Sequence, residues 1–196
     1  MTTTATDLMT AEQFFDWVNR PENAGKHYEL ERGRVVEVSR PGEAHGSVAA
    51  NFTRLLLNYA FARKKGYVCS NDTGVIWERS PDSVRGPDVI YYDKKVRRRD
   101  LNPRYSDEVP QLVVEVLSPN DRMSKVNARI GKFLERGVPV VWLADPEDST
   151  ITVYRLNRTP TVLQPEEEIT DEVLPDFRLR VSEFFVSPGE EEDEPT

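Results

Sequence analysis

One carboxylate stands where the chain's own pattern ought to keep charge out, and a second opens another strand. Glu115 lies within Gln111-Leu-Val-Val-Glu-Val-Leu117, and Asp88 follows Pro87 at the head of Asp88-Val-Ile-Tyr-Tyr92. Apolar residues on both sides of Glu115 mark a strand covered on both faces, since a half-exposed strand alternates with polar residues. A carboxylate in such a strand is costly unless a cation, a metal or several hydrogen bonds compensate. If the two strands are neighbours, the carboxylates converge, and repulsion makes each hard to keep ionised without a positive ion between them. Mg²⁺, or Mn²⁺ in its place, suits such a pair: it takes oxygen ligands octahedrally, retains waters and shares phosphate oxygens. The backbone carbonyl of Val116 offers a third ligand. The chemistry expected there is attack on a phosphodiester by a water activated at the metal, with a nearby lysine orienting or deprotonating it and stabilising developing negative charge.

Other common sites are absent from the sequence. One cysteine, Cys69, and two scattered histidines cannot build a zinc cluster of the usual spacing. Neither a glycine-lysine phosphate loop nor a GxGxxG stretch is present, and no serine sits in a nucleophile elbow.

The elements that must position the carboxylates can be read in order. Thr10-Ala-Glu-Gln13 has capping-box form and opens a short amphipathic helix carrying Phe14, Phe15, Trp17 and Val18. His27 to Ser39 reads as a hairpin turning at Glu31-Arg32-Gly33, with Glu29 on its first strand as a solvent-face residue unless a carboxylate pair adjoins it. Val48, Phe52, Leu55, Leu56 and Tyr59 recur at helical spacing between Glu43 and Gly66, where terminal cations and a glycine form a stop signal. His45 at the front of that helix reads as a first-turn cap or surface residue, with a phosphate contact as the alternative. Tyr67 to Ser70 and Thr73 to Glu78 are short strands, and Pro87, which has no N–H, suits the first residue of the next, setting Asp88, Ile90 and Tyr92 on one face. Lys94-Lys-Val-Arg-Arg-Arg99 reads as a basic loop, solvated or in contact with phosphate.

After the Glu115 strand, Ser118-Pro-Asn-Asp121 offers cap residues for a helix from about Arg122 to Arg136, with Met123, Val126, Ile130, Phe133 and Leu134 as its buried stripe. The helical angle puts Arg122, Lys125, Arg129, Lys132 and Arg136 along one flank, where like charges repel and call for an anion. Val138 to Pro146 and Thr150 to Leu156 complete the sheet, with weaker segments at Thr161 to Gln164 and Glu172 to Val186.

With 196 residues, no internal repeat and no Pro/Gly/Ser linker, the chain reads as one domain over residues 10–186, between a flexible 1–9 and an acidic, disordered tail at 187–196. No apolar run approaches the ~20 residues a membrane helix requires. The start lacks a basic and apolar leader and the single cysteine fits a reducing compartment, so a cytoplasmic protein without membrane contact is expected. The net charge of −8 is a poor overall field for binding nucleic acid, but the acidic run Glu190 to Glu194 carries much of it.

The residues quoted also resemble a known family. Pro87-Asp88, Glu115 in an apolar strand and a cationic helix look like the PD-(D/E)xK nuclease superfamily. Tyr28-Glu29-Leu30, Glu43-Ala-His45-Gly46, Gly86-Pro-Asp-Val89, Leu112 to Pro119, Gly137-Val138 and Val141 to Pro146 follow one another as in the bacterial Uma-type restriction endonucleases. The resemblance covers Thr10 to Phe185. It implies a restriction-endonuclease-like α/β (α+β) fold: a mixed central sheet flanked by helices, with an N-terminal helix and hairpin.

The resemblance further implies that Asp88 and Glu115 are the metal carboxylates and Glu29 an auxiliary acid. The superfamily's lysine two residues after the glutamate is here Leu117. Uma-type members place a lysine on the following helix, and the spacing back from Gly137 puts Arg129 there. Arginine stays charged at neutral pH and cannot act as a base, so Lys125, one turn earlier, is the lysine expected to complete the catalytic set, with Arg129 contributing charge. Arg129, Arg122, Lys94, Lys95, Arg97 and His45 are the expected phosphate contacts. The implied activity is Mg²⁺-dependent endonucleolytic hydrolysis of DNA, and analogy with nucleases that pair to cut both strands points to a homodimer. Two other readings stand beside it: an inactive nuclease-fold protein that binds nucleic acid, and a purely structural ion pair between Glu115 and Arg129 or Lys125.

Overall fold

The computed structural model describes residues 8–187. The expected flexible start and acidic tail therefore lie outside the described residues, apart from Leu8, Met9 and Ser187. In chain order the elements begin with α1 (Ala11–Val18), β1 (His27–Glu31), β2 (Arg34–Val38), α2 (Glu43–Arg63) and β3 (Tyr67–Ser70). Next come β4 (Val75–Glu78), β5 (Ser83–Arg85), β6 (Val89–Tyr92), β7 (Leu112–Val116) and α3 (Met123–Glu135). The chain closes with β8 (Val140–Asp145), β9 (Thr150–Tyr154), β10 (Thr161–Leu163), β11 (Glu168–Asp171) and β12 (Leu174–Arg180). They fall into two compact units between which the chain passes back and forth, so no linear boundary separates them.

The first unit comprises residues 1–40, 72–86 and 97–108. Its antiparallel sheet runs β2-β1-β5-β4. The hairpin read from the sequence is present, with Arg32 and Gly33 at positive φ in its turn. Helix α1 starts at the expected capping box: the Gln13 N–H donates to the Thr10 hydroxyl, and the Thr10 N–H to the Gln13 side chain. Phe14 buries itself with Leu30, Ile76 and Val84. Asp82, buried in the same unit, accepts the Ala11 N–H at 2.8 Å and the Arg79 guanidinium at 2.9 Å. Burial alone would raise its carboxyl, and these hydrogen bonds outweigh that and hold it below the ordinary aspartate value.

The second unit comprises residues 41–71, 87–96 and 109–196. Its mixed sheet runs β10-β9-β8-β7-β6-β3, with β7 and β8 parallel and every other pair antiparallel. A parallel pair needs a long crossover, and α3 supplies it. One sheet face, with Val89, Tyr91, Leu112, Val114, Val116, Val140 and Trp142, is buried against α2 through Val48, Phe52, Leu55 and Leu56. Phe177, Val181 and Phe184, from β12 and the turn after it, belong to the same core. Helix α3 packs on β8 and buries Val126, Ile130, Phe133 and Leu134. The expected mixed sheet flanked by helices is thus the observed one. No helix among the described residues is long and apolar enough to cross a membrane.

Several local expectations shift. Met123 is exposed rather than part of the α3 stripe, because it is the first helical residue and lies before the turn that reaches β8. Asp121 accepts the Ser118 N–H and so closes the loop, leaving Arg122 at the N-cap without a side-chain cap. Lys64 adopts the left-handed conformation that ends α2, at φ 52°. Gly66 is also left-handed, at φ 96°, and a Cβ there would meet the Tyr91 hydroxyl at 2.4 Å. Arg98–Asp100 form a 3-10 turn within the basic segment.

Candidate active site

The two suspect carboxylates come from adjacent strands. Strands β6 and β7 pair in antiparallel register through Val89↔Val114 and Ile90↔Val113. One step further along that register Asp88 falls opposite Glu115. The strand starts at Val89, so Asp88 sits just outside the ladder and its carboxylate is free to turn across the end of β7. There Asp88 Oδ2 accepts the Val116 N–H at 2.7 Å.

Pro87 explains why the Val116 carbonyl meets no backbone donor from β6. The Leu117 N–H donates to the Ala144 carbonyl of β8 at 2.9 Å, so Val116, one residue earlier, turns its own N–H and C=O toward the β6 side. Its register partner is Pro87, which has no N–H to give back. The ladder therefore ends there, and the Val116 carbonyl is directed to the same side as Asp88.

Glu115 is only 4% exposed, and its Oε2 lies 2.6 Å from Arg129 Nη2 on α3. His45 enters from the first turn of α2, with Nε2 3.2 Å from Asp88 Oδ2. It is in the expected turn but is buried rather than on the surface. Ala44 and Gly46 on either side of it are exposed. Each carboxylate thus meets a nitrogen from a different helix, Asp88 from α2 and Glu115 from α3. Sequence reasoning missed the His45 partnership. Its one available signal was a large polar residue between two small ones in a first turn, and nothing in the spacing tied it to Asp88.

The remaining candidates are dispersed. Lys125 is exposed, and among the described residues no hydrogen bond or ion pair joins it to Asp88 or Glu115. Arg122 is exposed at the N-cap of α3, and Lys95 is exposed in the loop after β6. Lys94 lies 5.9 Å from the centre of the Tyr67 ring. Two candidates belong to the first unit and are placed within it: Glu29, 3.5 Å from Arg85 Nη1, and Arg97, whose Nε is 2.6 Å from Asp100.

Among the described residues no group of three or more His, Cys, Asp or Glu side chains could hold a metal ion. The donors at the strand ends are two carboxylates and one backbone carbonyl. Such a set of hard oxygens fits Mg²⁺, which keeps several of its own waters and needs few protein ligands.

The comparisons with known proteins bear on the family and the fold. A family model described as Uma2, putative restriction endonuclease, matches residues 11–182. A solved structure described as a putative nuclease belonging to DUF820, from Anabaena variabilis ATCC 29413, superposes with a TM-score of 0.73 at 18% identity, covering 90% of this chain and 97% of that one. Among curated proteins none matches.

Proposed function

The chain belongs to the Uma2 family, and from that premise we propose that it is a Mg²⁺-dependent endonuclease that hydrolyses DNA phosphodiester bonds. Family and fold support a nuclease at the coarse level. The observation that supports the finer reading is the pairing of β6 with β7, on which Asp88 lies one step beyond Val89↔Val114 and accepts the N–H of Val116, the residue after Glu115.

In this reading Asp88, Glu115 and the Val116 carbonyl hold the cation. When bound, Mg²⁺ supplies Lewis-acid polarisation of the phosphoryl oxygen and lowers the pKa of an attacking water. Burial of Glu115 keeps bulk water from competing for its oxygens and strengthens each electrostatic contact. Arg129 lends fixed positive charge to the pentavalent phosphorus centre as negative charge builds on it, and cannot take a proton. Lys125, on the next turn of the same helix, is the base that orients or deprotonates the water. Arg122, Lys94 and Lys95 hold backbone phosphates.

The test is nicking of supercoiled plasmid with Mg²⁺ or Mn²⁺. Wild type is expected to nick, and Asp88→Ala and Glu115→Ala to lose the activity while retaining the fold. Nicking that survives both substitutions refutes the assignment. A second reading, a nuclease fold that binds nucleic acid without cutting it, is favoured by one specific feature: Arg129 on Glu115 in place of a titratable lysine. Metal binding without cleavage across single-stranded, double-stranded and RNA substrates would select it.

A further inference from the structure

We propose that His45 is a positioning residue for the metal-binding carboxylate of Asp88, holding it by one oxygen so that the other is presented to the cation. The proposal rests on the metal reading above and adds a residue to it. Both contacts of Asp88 fall on the same atom: the Val116 N–H donates to Oδ2 at 2.7 Å, and His45 Nε2 lies 3.2 Å from that Oδ2. A carboxylate has several lone-pair sites and can rotate about its last bond. A hydrogen bond from Val116 and the His45 nitrogen beside the same oxygen restrict that rotation and leave Oδ1 as the atom with neither.

The support behind His45 suits this role. Its side chain is 9% exposed, so the contact to Asp88 is made away from bulk water. It stands on a 21-residue helix anchored by Val48, Phe52, Leu55 and Leu56 in the main core of the unit. A group on a packed helix holds its place more closely than one on a loop. The backbone amide of Val116 gives the second donor from the sheet, so the carboxylate is fixed between a helix and a strand. Hydrogen-bond partners of ligating carboxylates set metal affinity from outside the coordination shell. A buried side chain occupied with Asp88 fits that role better than the direct phosphate contact expected from the sequence.

Binding of Mn²⁺ alone to the full chain, followed by titration calorimetry, separates the cases without reference to cleavage. His45→Gln keeps an amide N–H at the distance of Nε2, whereas His45→Asn ends one bond short. The expected order is wild type and His45→Gln alike, His45→Asn weaker by about 10–100-fold, and Glu115→Gln without measurable binding, with all four showing cooperative thermal unfolding. His45→Asn binding Mn²⁺ as tightly as wild type would overturn the positioning role and return His45 to a phosphate contact. His45→Gln as weak as His45→Asn would overturn the donor argument. Wild type that binds no Mn²⁺ would overturn the metal reading and this proposal with it.

Discussion

Arg129 Nη2 lies 2.6 Å from Glu115 Oε2, so the buried carboxylate that β7 ought to exclude has a permanent, half-buried cation beside it. A buried ion pair is a poor source of net stability, because desolvating both charges offsets most of their attraction. Its effect is conditional: once Glu115 is in the strand, the guanidinium is what makes its ionised form tolerable. A divalent cation at the same carboxylate would serve that purpose equally well. The observed ion pair and the proposed metal site are therefore two uses of one charge.

Removing only the cation should expose that dependence. Arg129→Met is predicted to lose about 3 kcal/mol of folding stability, the lower end of the range for breaking a buried pair, since the arginine side chain is 28% exposed. Urea denaturation measures the loss. Adding Glu115→Gln to the same chain should recover part of it, because the buried charge then disappears. A double variant no more stable than Arg129→Met would show that the pair does not govern stability here.

Kinetics should separate Lys125 from Arg129. If Lys125 is the base, Lys125→Ala lowers plasmid nicking by about 100-fold, within the range attributed to a positioned base. Arg129→Lys puts a titratable amine in the place that arginine cannot serve, and in the Lys125→Ala background it should restore most of the lost rate. Lys125→Ala nicking at the wild-type rate would remove Lys125 from the mechanism.

How far the sequence carried these conclusions depends on the range of the interaction. The β6–β7–α3–β8 run was legible because each part has a local signal: an apolar run for β7, helical spacing for Val126, Ile130 and Phe133, and a proline before β6. Glu115 was legible as an anomaly within its own strand. Which group answers it was not, since Lys125 and Arg129 share a flank and only the packing of α3 on the sheet brings Arg129 to Glu115. His45 and Asp88 are separated by three strands of sequence, and no periodicity connects the first turn of α2 to the mouth of β6. The end of α2 shows the same limit: Gly66 marked the stop, and the left-handed cap falls on Lys64 because Gly66 is required elsewhere, against Tyr91.

Gly66→Ala tests that last point. At φ 96° a Cβ is strained, and its site lies 2.4 Å from a hydroxyl on the fully buried Tyr91. Left-handed strain costs about 1–2 kcal/mol and overpacking about 1–3, so a total loss of about 2–5 kcal/mol is expected. Gly25, also at positive φ but with nothing near its Cβ position, should lose only the smaller part on substitution with alanine. Equal losses at the two glycines, measured in urea, would mean that Tyr91 moves aside without cost.

Asp93, at the far end of β6 from Asp88, gives a pH dependence whose sign is fixed. Its Oδ1 lies 3.0 Å from Arg63 Nη1 and accepts the Tyr91 hydroxyl at 3.0 Å, while Lys65 Nζ is 2.7 Å from Oδ2. Burial alone would raise this carboxyl, but the hydrogen bonds from Lys65 and Tyr91 and the charges of Arg63 and Lys65 prevail and hold it below the ordinary value of 3.8. The unfolded chain therefore takes up the proton first as the solution is acidified. The stabilisation is whole above the ordinary value and drains away as the pH falls through the lower folded one. Asp93→Asn should cost about 2 kcal/mol near neutral pH, the scale of hydrogen bonds to a charged group, and progressively less in acid. Chemical denaturation of both proteins at neutral pH and at about pH 3 reads the difference. A loss of the same size at both would mean that Asp93 contributes by shape and neutral hydrogen bonding, not by its charge.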